Sequence, residues 1–567
     1  MTTVSGTDIT SAIERGAEAL LARRRPDGAF GDDAPASILG TAGAIAALHA
    51  ADPAGNADLV EAGAAWLRDK QFPDGGWGGV VGAPSAIVPT SIATAALAMT
   101  TPERSAEAIE AGRAALAALG GVNTVADRAV SLMCRQFLAM AGFTEDAGKL
   151  RRLPLEIVLF DKVRRRLVSF RTTPFVGLAL MQADLLPAGP LRRMTLRRAR
   201  PAALALLRSV HDHEGRTGAF SEDPWPAALV LLGLARSGEA PDVAEAIAGW
   251  LRRAVRPDGS WDAVTNLDLT RSGYAATGLI AAGYAGDPRL RATKEFFHAN
   301  QTTERFAVLD VPAGGWSFSN RRGWPVTLES AEILSALAGL PGAESDPVLR
   351  TGLDWLAARQ DSRGSWSLWV RDTKLPIDGP CPAITSQAIT ALHEAGHPTE
   401  HPAITAAAEW LLTAQNPDGT FDNLWYRDHT TGTAVVVSAL SLAGHAQHAV
   451  VRKAVAWLLD TQLPDGSWGP GDGTEGSVEE TGWVVQGLLA AGGGADVAEA
   501  VDRGVAWLVA AARPEGGWPA TRVCNYIRHH VLYPNAVITQ AVALKALGEY
   551  RAATETSSAD VPGTATR

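Results

Sequence analysis

Cysteine is scarce. The three residues in 567, Cys134, Cys381 and Cys524, lie far apart and in no CxxC spacing, so neither a disulfide framework nor a structural zinc site is indicated, and a reducing compartment fits. There is no run of eighteen or more uninterrupted apolar residues, which argues against a membrane-spanning helix and leaves room for a surface-lying segment. The opening MTTVSGTDITSAIERGAEAL lacks the basic start and apolar run of a secretory signal. A cytoplasmic protein is expected, free or peripheral on the inner face of the membrane. There is no DDxxD either: Asp32 and Asp33 are followed by Ala-Pro-Ala. No metal site is indicated, and Mg²⁺ enters as a cofactor only if the substrate is a diphosphate that brings it in with one or two carboxylates. The net charge of −10 argues against nucleic acid as a partner.

What is present is bulk and repetition. With 46% hydrophobic residues the chain can build two or more domains. Its basic residues are uneven: KLRRLP, DKVRRRLVSFR and PLRRMTLRRARP put roughly a quarter of all Lys and Arg into about a tenth of the length, between Lys149 and Arg200. Such clusters read as solvated helix faces, or as a site for a phosphate-bearing substrate or an anionic membrane surface.

A unit recurs in which an Ala-rich helix ends in Trp-Leu and runs into Pro-Asp-Gly-x-Trp. It spans Trp66–Trp77, Trp250–Trp261, Trp355–Trp366, Trp410–Phe421, Trp457–Trp468 and Trp507–Trp518, with a worn copy at Ala19–Phe30. Regular spacing of this kind indicates repeats that bury their faces against neighbours. Between the turns lie segments apolar on nearly all sides, such as GYAATGLIAAG and ETGWVVQGLLAAG, which suit an inner ring. The Trp-Leu helices are amphipathic and suit an outer one. The Pro-Asp-Gly step is turn chemistry, and the Trp after it is expected to stack on the next Gln or helix end. The fold predicted is all-α, two α/α toroids: residues 28–262 as an inserted first barrel, 1–27 with 263–552 as the second, and 553–567 as a disordered tail. The region from Val125 to Pro190 has no turn motif and reads as a substrate-facing or surface-binding elaboration.

The stretch Gly314–Glu332, GGWSFSNRRGWPVTLESAE, leads from a Gly-Gly-Trp turn into a helix start loaded with carboxylates. Such a place can hold an acid that delivers its proton into an apolar pocket. Equally, Thr327 could cap a helix with Glu329 in its first turn, while Trp316 and Trp324 pack.

Repeats and stretch together resemble the superfamily of squalene-hopene cyclases, oxidosqualene cyclases and class II diterpene cyclases, as do LPLEIVLF, YIRHHVLYPNAV and ALGEY. The resemblance implies two α/α barrels, a cavity for a linear isoprenoid and chemistry begun by protonating an alkene or epoxide. Aligning on Ala331 and Glu332, however, puts Leu328 where the family has its proton-donating Asp, Val326 at the preceding Asp and Glu329 at the following one. Gln387 matches the family's orienting His. Leu cannot protonate anything. Three explanations stay open. Glu329 could be the acid, with Thr327 or Gln387 as its hydrogen-bond partner. Another carboxylate before an inner helix could serve, foremost Asp378 or Glu480, although each also reads as a cap. Or the chain ionises a diphosphate, or binds an isoprenoid or partner enzyme without catalysis. A protein prenyltransferase subunit would need zinc, and Cys381 with Asp378 lacks a third ligand. Phe318, Trp324, Trp425, Trp483, Tyr526 and Tyr533 are the aromatic side chains expected to bind substrate and stabilise cations, beside Leu328 and Gln387. The expected partner is a linear isoprenoid, a prenyl diphosphate, prenylated aromatic or squalene-like molecule; a membrane surface and a homodimer are further partners left open.

Overall fold

Two kinds of helix alternate along the chain, and burial separates them. The computed structural model describes residues 5–559 apart from 33, 161–167, 170, 171, 188, 221, 265, 374, 376, 377 and 529. Inner helices are buried on every side: Leu269 to Leu279 without interruption, and likewise Thr327 to Leu337. Their small residues let backbones meet. At Gly278 an added Cβ would stand 2.5 Å from the carbonyl oxygen of Ala541, so nothing larger than Gly fits. Outer helices bury a single stripe, as in Ala57–Asp69, where Val60, Gly63, Ala64, Trp66 and Leu67 face inward.

The first barrel has the inner helices α1 (Ile38–Ala51), α2 (Ile87–Thr100), α3 (Arg128–Met140), α4 (Thr173–Leu185) and α5 (Pro224–Ser237). Packing runs from α3 through α2, α1 and α5 to α4, and Gln182 Nε2 donates to Gln136 Oε1 at 2.6 Å to join α4 back to α3. The second barrel has α6 (Asp268–Leu279), α7 (Thr327–Gly339), α8 (Pro382–Glu394), α9 (Thr430–Leu440), α10 (Val478–Ala491) and α11 (Ala536–Ala559). Each packs on the next, and α11 returns to α6, closing the ring. The N-terminal helix Gly6–Leu21 lies against α11 in the outer layer. Between α10 and α11 a hairpin of β1 (Cys524–Ile527) and β2 (Val531–Tyr533) pairs Cys524 with Tyr533 and Asn525 with Leu532.

The turns staple neighbouring units, and the Trp rings reach the adjoining outer helix: Trp77 lies against Gly112 and Trp468 against Gly504. Each turn Trp also returns its indole N–H to its own outer helix: Trp77 to the Leu67 carbonyl at 2.8 Å, Trp261 to Leu251 at 2.9 Å and Trp468 to Leu458 at 2.6 Å. The Gln is a second staple. Gln462 Nε2 donates to Gly466 O and to Ala500 O in the next outer helix, both at 2.9 Å, and Gln71, Gln360 and Gln415 repeat the pattern. An amide with two donors can satisfy a turn carbonyl and an adjoining helix at once, which a ring face cannot. Gly466, at φ 95, supplies the left-handed step. The stretch Gly314–Trp316 is one of these turns too: Gln301 bonds Gly314 O and Val348 O at 2.9 Å, and Trp316 bonds Phe297 O at 2.8 Å. An insertion between Gln and Trp hides it from a spacing search.

Two further expectations shift. The region 125–190 supplies α3 and α4, so it is part of the barrel wall as well as an interruption of the turn pattern. The last helix continues through Ala559, past Ala553, where a disordered tail was expected to begin.

Candidate active site

The starts of inner helices from both barrels converge on one cavity, with an empty volume of about 1360 Å³ including its mouth. The first barrel contributes Asp127 and Val130 at the start of α3, Phe175 on α4, and Asp223 and Trp225 at the start of α5. The second contributes Thr270 and Tyr274 on α6 and Leu328 and Glu329 on α7; Trp369, Trp425, Tyr426 and the hairpin close the side. Apart from a few polar groups the walls are apolar, and helix starts stabilise any carboxylate left behind by proton transfer.

Glu329 is one of the carboxyls at these helix starts. It is 6% exposed. Its Oε1 accepts a hydrogen bond from Thr270 Oγ1 at 3.1 Å, and its Oε2 has no hydrogen-bond partner among the described residues. Burial pushes the carboxyl up to about 7, because an ion in this setting would lose water and regain little. Thr270 is held in place by its own backbone, since the Phe318 carbonyl accepts from the N–H groups of Leu269 and Thr270. The partner is therefore neither Thr327, which donates to Ser367 O at 2.8 Å, nor Gln387, which lines a separate pocket.

The other candidate acids are engaged elsewhere. Glu480 is fully buried and grips Arg427, Nε at 2.9 Å and Nη2 at 2.7 Å, while Ser477 Oγ donates to it at 2.8 Å. Asp378, also fully buried, accepts from Ser169 of the first barrel. Neither lines the cavity. Of the aromatic residues, Phe318, Trp425, Tyr526 and Tyr533 do line it, beside Leu328. Trp324 does not: it is buried with its indole N–H on Glu214 at 3.2 Å and its ring edge-on to Phe306. Trp483 packs edge-on to Tyr426 at 4.5 Å and faces the second pocket. The described basic residues between 149 and 200 are all absent from the cavity wall.

That second pocket, about 520 Å³, holds Glu332, Gln387 and Lys545 and touches the main cavity at Tyr274, which lines both. The Tyr274 hydroxyl sits beside Tyr426 on one side and Glu332 on the other, and burial raises the Glu332 carboxyl to about 8. Among the described residues no group of three or more His, Cys, Asp or Glu is placed to hold a metal ion.

The sequence reading missed one carboxyl altogether. Asp223, 4% exposed, lines the same cavity as Glu329. The Tyr526 hydroxyl reaches both its oxygens, at 2.8 and 2.9 Å, and the Trp225 N–H bonds Oδ1 at 3.0 Å. Burial raises this carboxyl to about 8. Its signal was present: in SEDPWP it precedes an apolar inner helix, the same context that singled out Asp378 and Glu480.

The family model for the squalene-hopene cyclase C-terminal domain matches residues 271–552, and that for the N-terminal domain matches 13–165. The chain belongs to the squalene-hopene cyclase superfamily. The squalene-hopene cyclase of Alicyclobacillus acidocaldarius is 29% identical over 382 residues, 59% of this chain and 58% of that protein. The squalene-hopene cyclase of Schizosaccharomyces japonicus is 31% identical over 236 residues, 37% of this chain and 35% of that protein. The chain thus spans 58% or less of the length of these curated relatives. In fold it is similar to the ent-copalyl diphosphate synthase from Streptomyces platensis, with a TM-score of 0.59 over 95% of this chain and 99% of that one, at 19% identity.

Proposed function

We propose that this member of the superfamily is a class II-type terpene cyclase in which Glu329 delivers the initiating proton. The observation that carries the reading is a buried carboxyl, raised to about 7, that lines an apolar cavity and whose Oε2 has no hydrogen-bond partner among the described residues. The Oε2–H bond breaks as hydrogen joins a terminal alkene carbon or an epoxide oxygen. The resulting cation is attacked by the next double bond of the folded chain. The carboxylate left on Glu329 keeps the Thr270 hydrogen bond and the start of α7 as stabilisers, and the faces of Phe318, Trp425 and Tyr426 favour cations without capturing them.

The substrate this cavity suits carries no diphosphate. Its described charged lining is Asp127, Asp223 and Glu329 against Arg528 alone, and Arg528 already faces Asp422 at 3.4 Å. A squalene-like chain or a prenylated aromatic fits that balance, and chemistry without Mg²⁺ follows from it.

Access from a membrane is a further part of the proposal. Phe160, Leu191 and Met194 are 61%, 74% and 50% exposed, on a segment and helix that pack together, beside the exposed Arg193, Arg197 and Arg198. Apolar side chains set among basic ones favour an anionic lipid surface. No described helix is long and apolar enough to cross a membrane.

The test is to incubate the purified protein and Glu329→Gln with squalene, oxidosqualene, a prenylated aromatic and prenyl diphosphates, with and without Mg²⁺. Cyclised product from a substrate without diphosphate, independent of Mg²⁺ and absent in the variant, is expected. A fully active Glu329→Gln would remove Glu329 as the acid.

A further inference from the structure

A cation made in this cavity must be discharged, and a second buried carboxyl lines the same cavity. We infer that Asp223, oriented by Tyr526, accepts the proton that ends the reaction. This rests on the reading of Glu329 as the initiating acid and assigns a second catalytic residue to the same cavity, from a part of the chain, between residues 165 and 271, that neither family model matches.

The geometry separates the two carboxyls by role. Glu329 has one oxygen without a hydrogen-bond partner among the described residues, so fewer donors there oppose its protonated form. Asp223 has donors on both oxygens, from the Tyr526 hydroxyl and the Trp225 N–H, and it sits at the start of the fourteen-residue α5. Hydrogen bonds and a helix start that point at a carboxylate favour its ionised, proton-accepting form. The cap alone does not account for this arrangement. One Asp223 oxygen satisfies the Trp225 N–H, whereas the second donor is brought by a hairpin residue 303 positions away in sequence and from the other barrel. Burial raises the carboxyl to about 8, so the accepting carboxylate is the form populated toward alkaline pH, where it is ionised before the cation arrives, and a positive charge in the cavity favours that form further.

The step balances. A C–H bond next to the cationic carbon breaks, its electron pair becomes a C=C bond, and the hydrogen forms an O–H bond on Asp223. Glu329 has then lost one proton and Asp223 has gained one, so the substrate is isomerised without an external reactant. Solvent exchange restores both groups. Tyr526 is a positioning residue, since it acts on the Asp223 oxygens.

The test has two arms, with melting temperatures confirming that each variant is folded; Asn at 223 retains an oxygen for the Trp225 N–H. In the first, product mixtures from wild type, Asp223→Asn, Tyr526→Phe and Glu329→Gln are compared. Asp223→Asn is expected to lower the share of olefin formed by proton loss about tenfold or more, with alcohols from water capture or displaced olefins in its place. Tyr526→Phe should move the mixture the same way by less. An unchanged mixture in Asp223→Asn overturns the proposal, as does a loss of all turnover matching that of Glu329→Gln, which would make Asp223 an initiating group. The second arm needs no turnover: binding of an isoprenoid tertiary amine, protonated as a stable mimic of the cation, is measured by calorimetry. Asp223→Asn should weaken it about tenfold, about 1.4 kcal/mol, and more than Glu329→Gln does; equal affinity in Asp223→Asn and wild type overturns the proposal. If wild type converts no isoprenoid, the reading of Glu329 fails, while the amine still decides the role of Asp223.

Discussion

Helices α7 and α10 begin alike and end up with different tasks. Glu329 and Glu480 are each the third residue of an inner helix in the second barrel, and both are buried. Glu480 is met by a bidentate Arg427 and by Ser477; Glu329 meets one threonine and an apolar space. The repeat thus provides equivalent places for a buried carboxyl, and the neighbours decide between a structural ion pair and a half-satisfied group of the kind proposed for the acid. A carboxylate with its charge matched is costly to disturb and inert; one left half-satisfied is kept neutral, with its proton available.

The contrast can be broken at either end. The largest effect is expected at Glu329→Gln, where turnover should fall by roughly 10²–10⁴, the usual range for loss of a general acid, with little change in melting temperature; the same change at Glu480 should mainly affect stability. Next, Arg427→Ala strands a fully buried carboxylate and should destabilise the fold by about 3–5 kcal/mol in denaturant titrations.

A third prediction uses pH. Burial pushes the Glu329 carboxyl up to about 7 in the folded chain from its ordinary 4.5, so between these values the folded state holds more protons than the unfolded one. Its contribution to stability therefore falls as pH rises from about 4.5 to 7, by on the order of 3 kcal/mol, and then levels off. Glu329→Gln should abolish that part of the pH dependence. Turnover should likewise fall as pH rises through about 7, because the donor form is lost. The smallest effect is expected at the staples: Gln462→Ala removes three hydrogen bonds, two donated and one accepted from Arg503, and should cost about 1–3 kcal/mol without altering products.

Turn residues made the repeats legible. Pro-Asp-Gly-x-Trp states its local geometry, and small, apolar inner helices state their burial, so the all-α architecture could be read in advance. The unit around Gln301 was hidden by its insertion, and the role of Gln as a second staple was hidden because hydrogen bonds to a neighbouring helix leave no spacing signal. The site was half legible. Glu329, Phe318, Trp425, Tyr526 and Tyr533 share the cavity, because residues near inner-helix starts and in the hairpin beside them face it. Asp378, Glu480, Trp324, Gln387 and Trp483 have similar local contexts but do not line it, and only the three-dimensional partners, such as Arg427 for Glu480, distinguish them. Thr270 and Asp223 act through contacts 59 and 303 residues distant in sequence, beyond any local pattern.

The N-terminal helix Gly6–Leu21 packs against α11, the last helix of the chain. During synthesis the first barrel can complete itself once the turn at Trp261, which bonds Ser37 and Thr41, has emerged, whereas the second barrel must hold the helix Gly6–Leu21 in reserve until α11 has emerged. The reactive cavity lies between the two barrels and takes Ile538 of α11 into its wall. It is therefore among the last parts of the two barrels to form, and a chain without α11 would lack that part of the cavity wall.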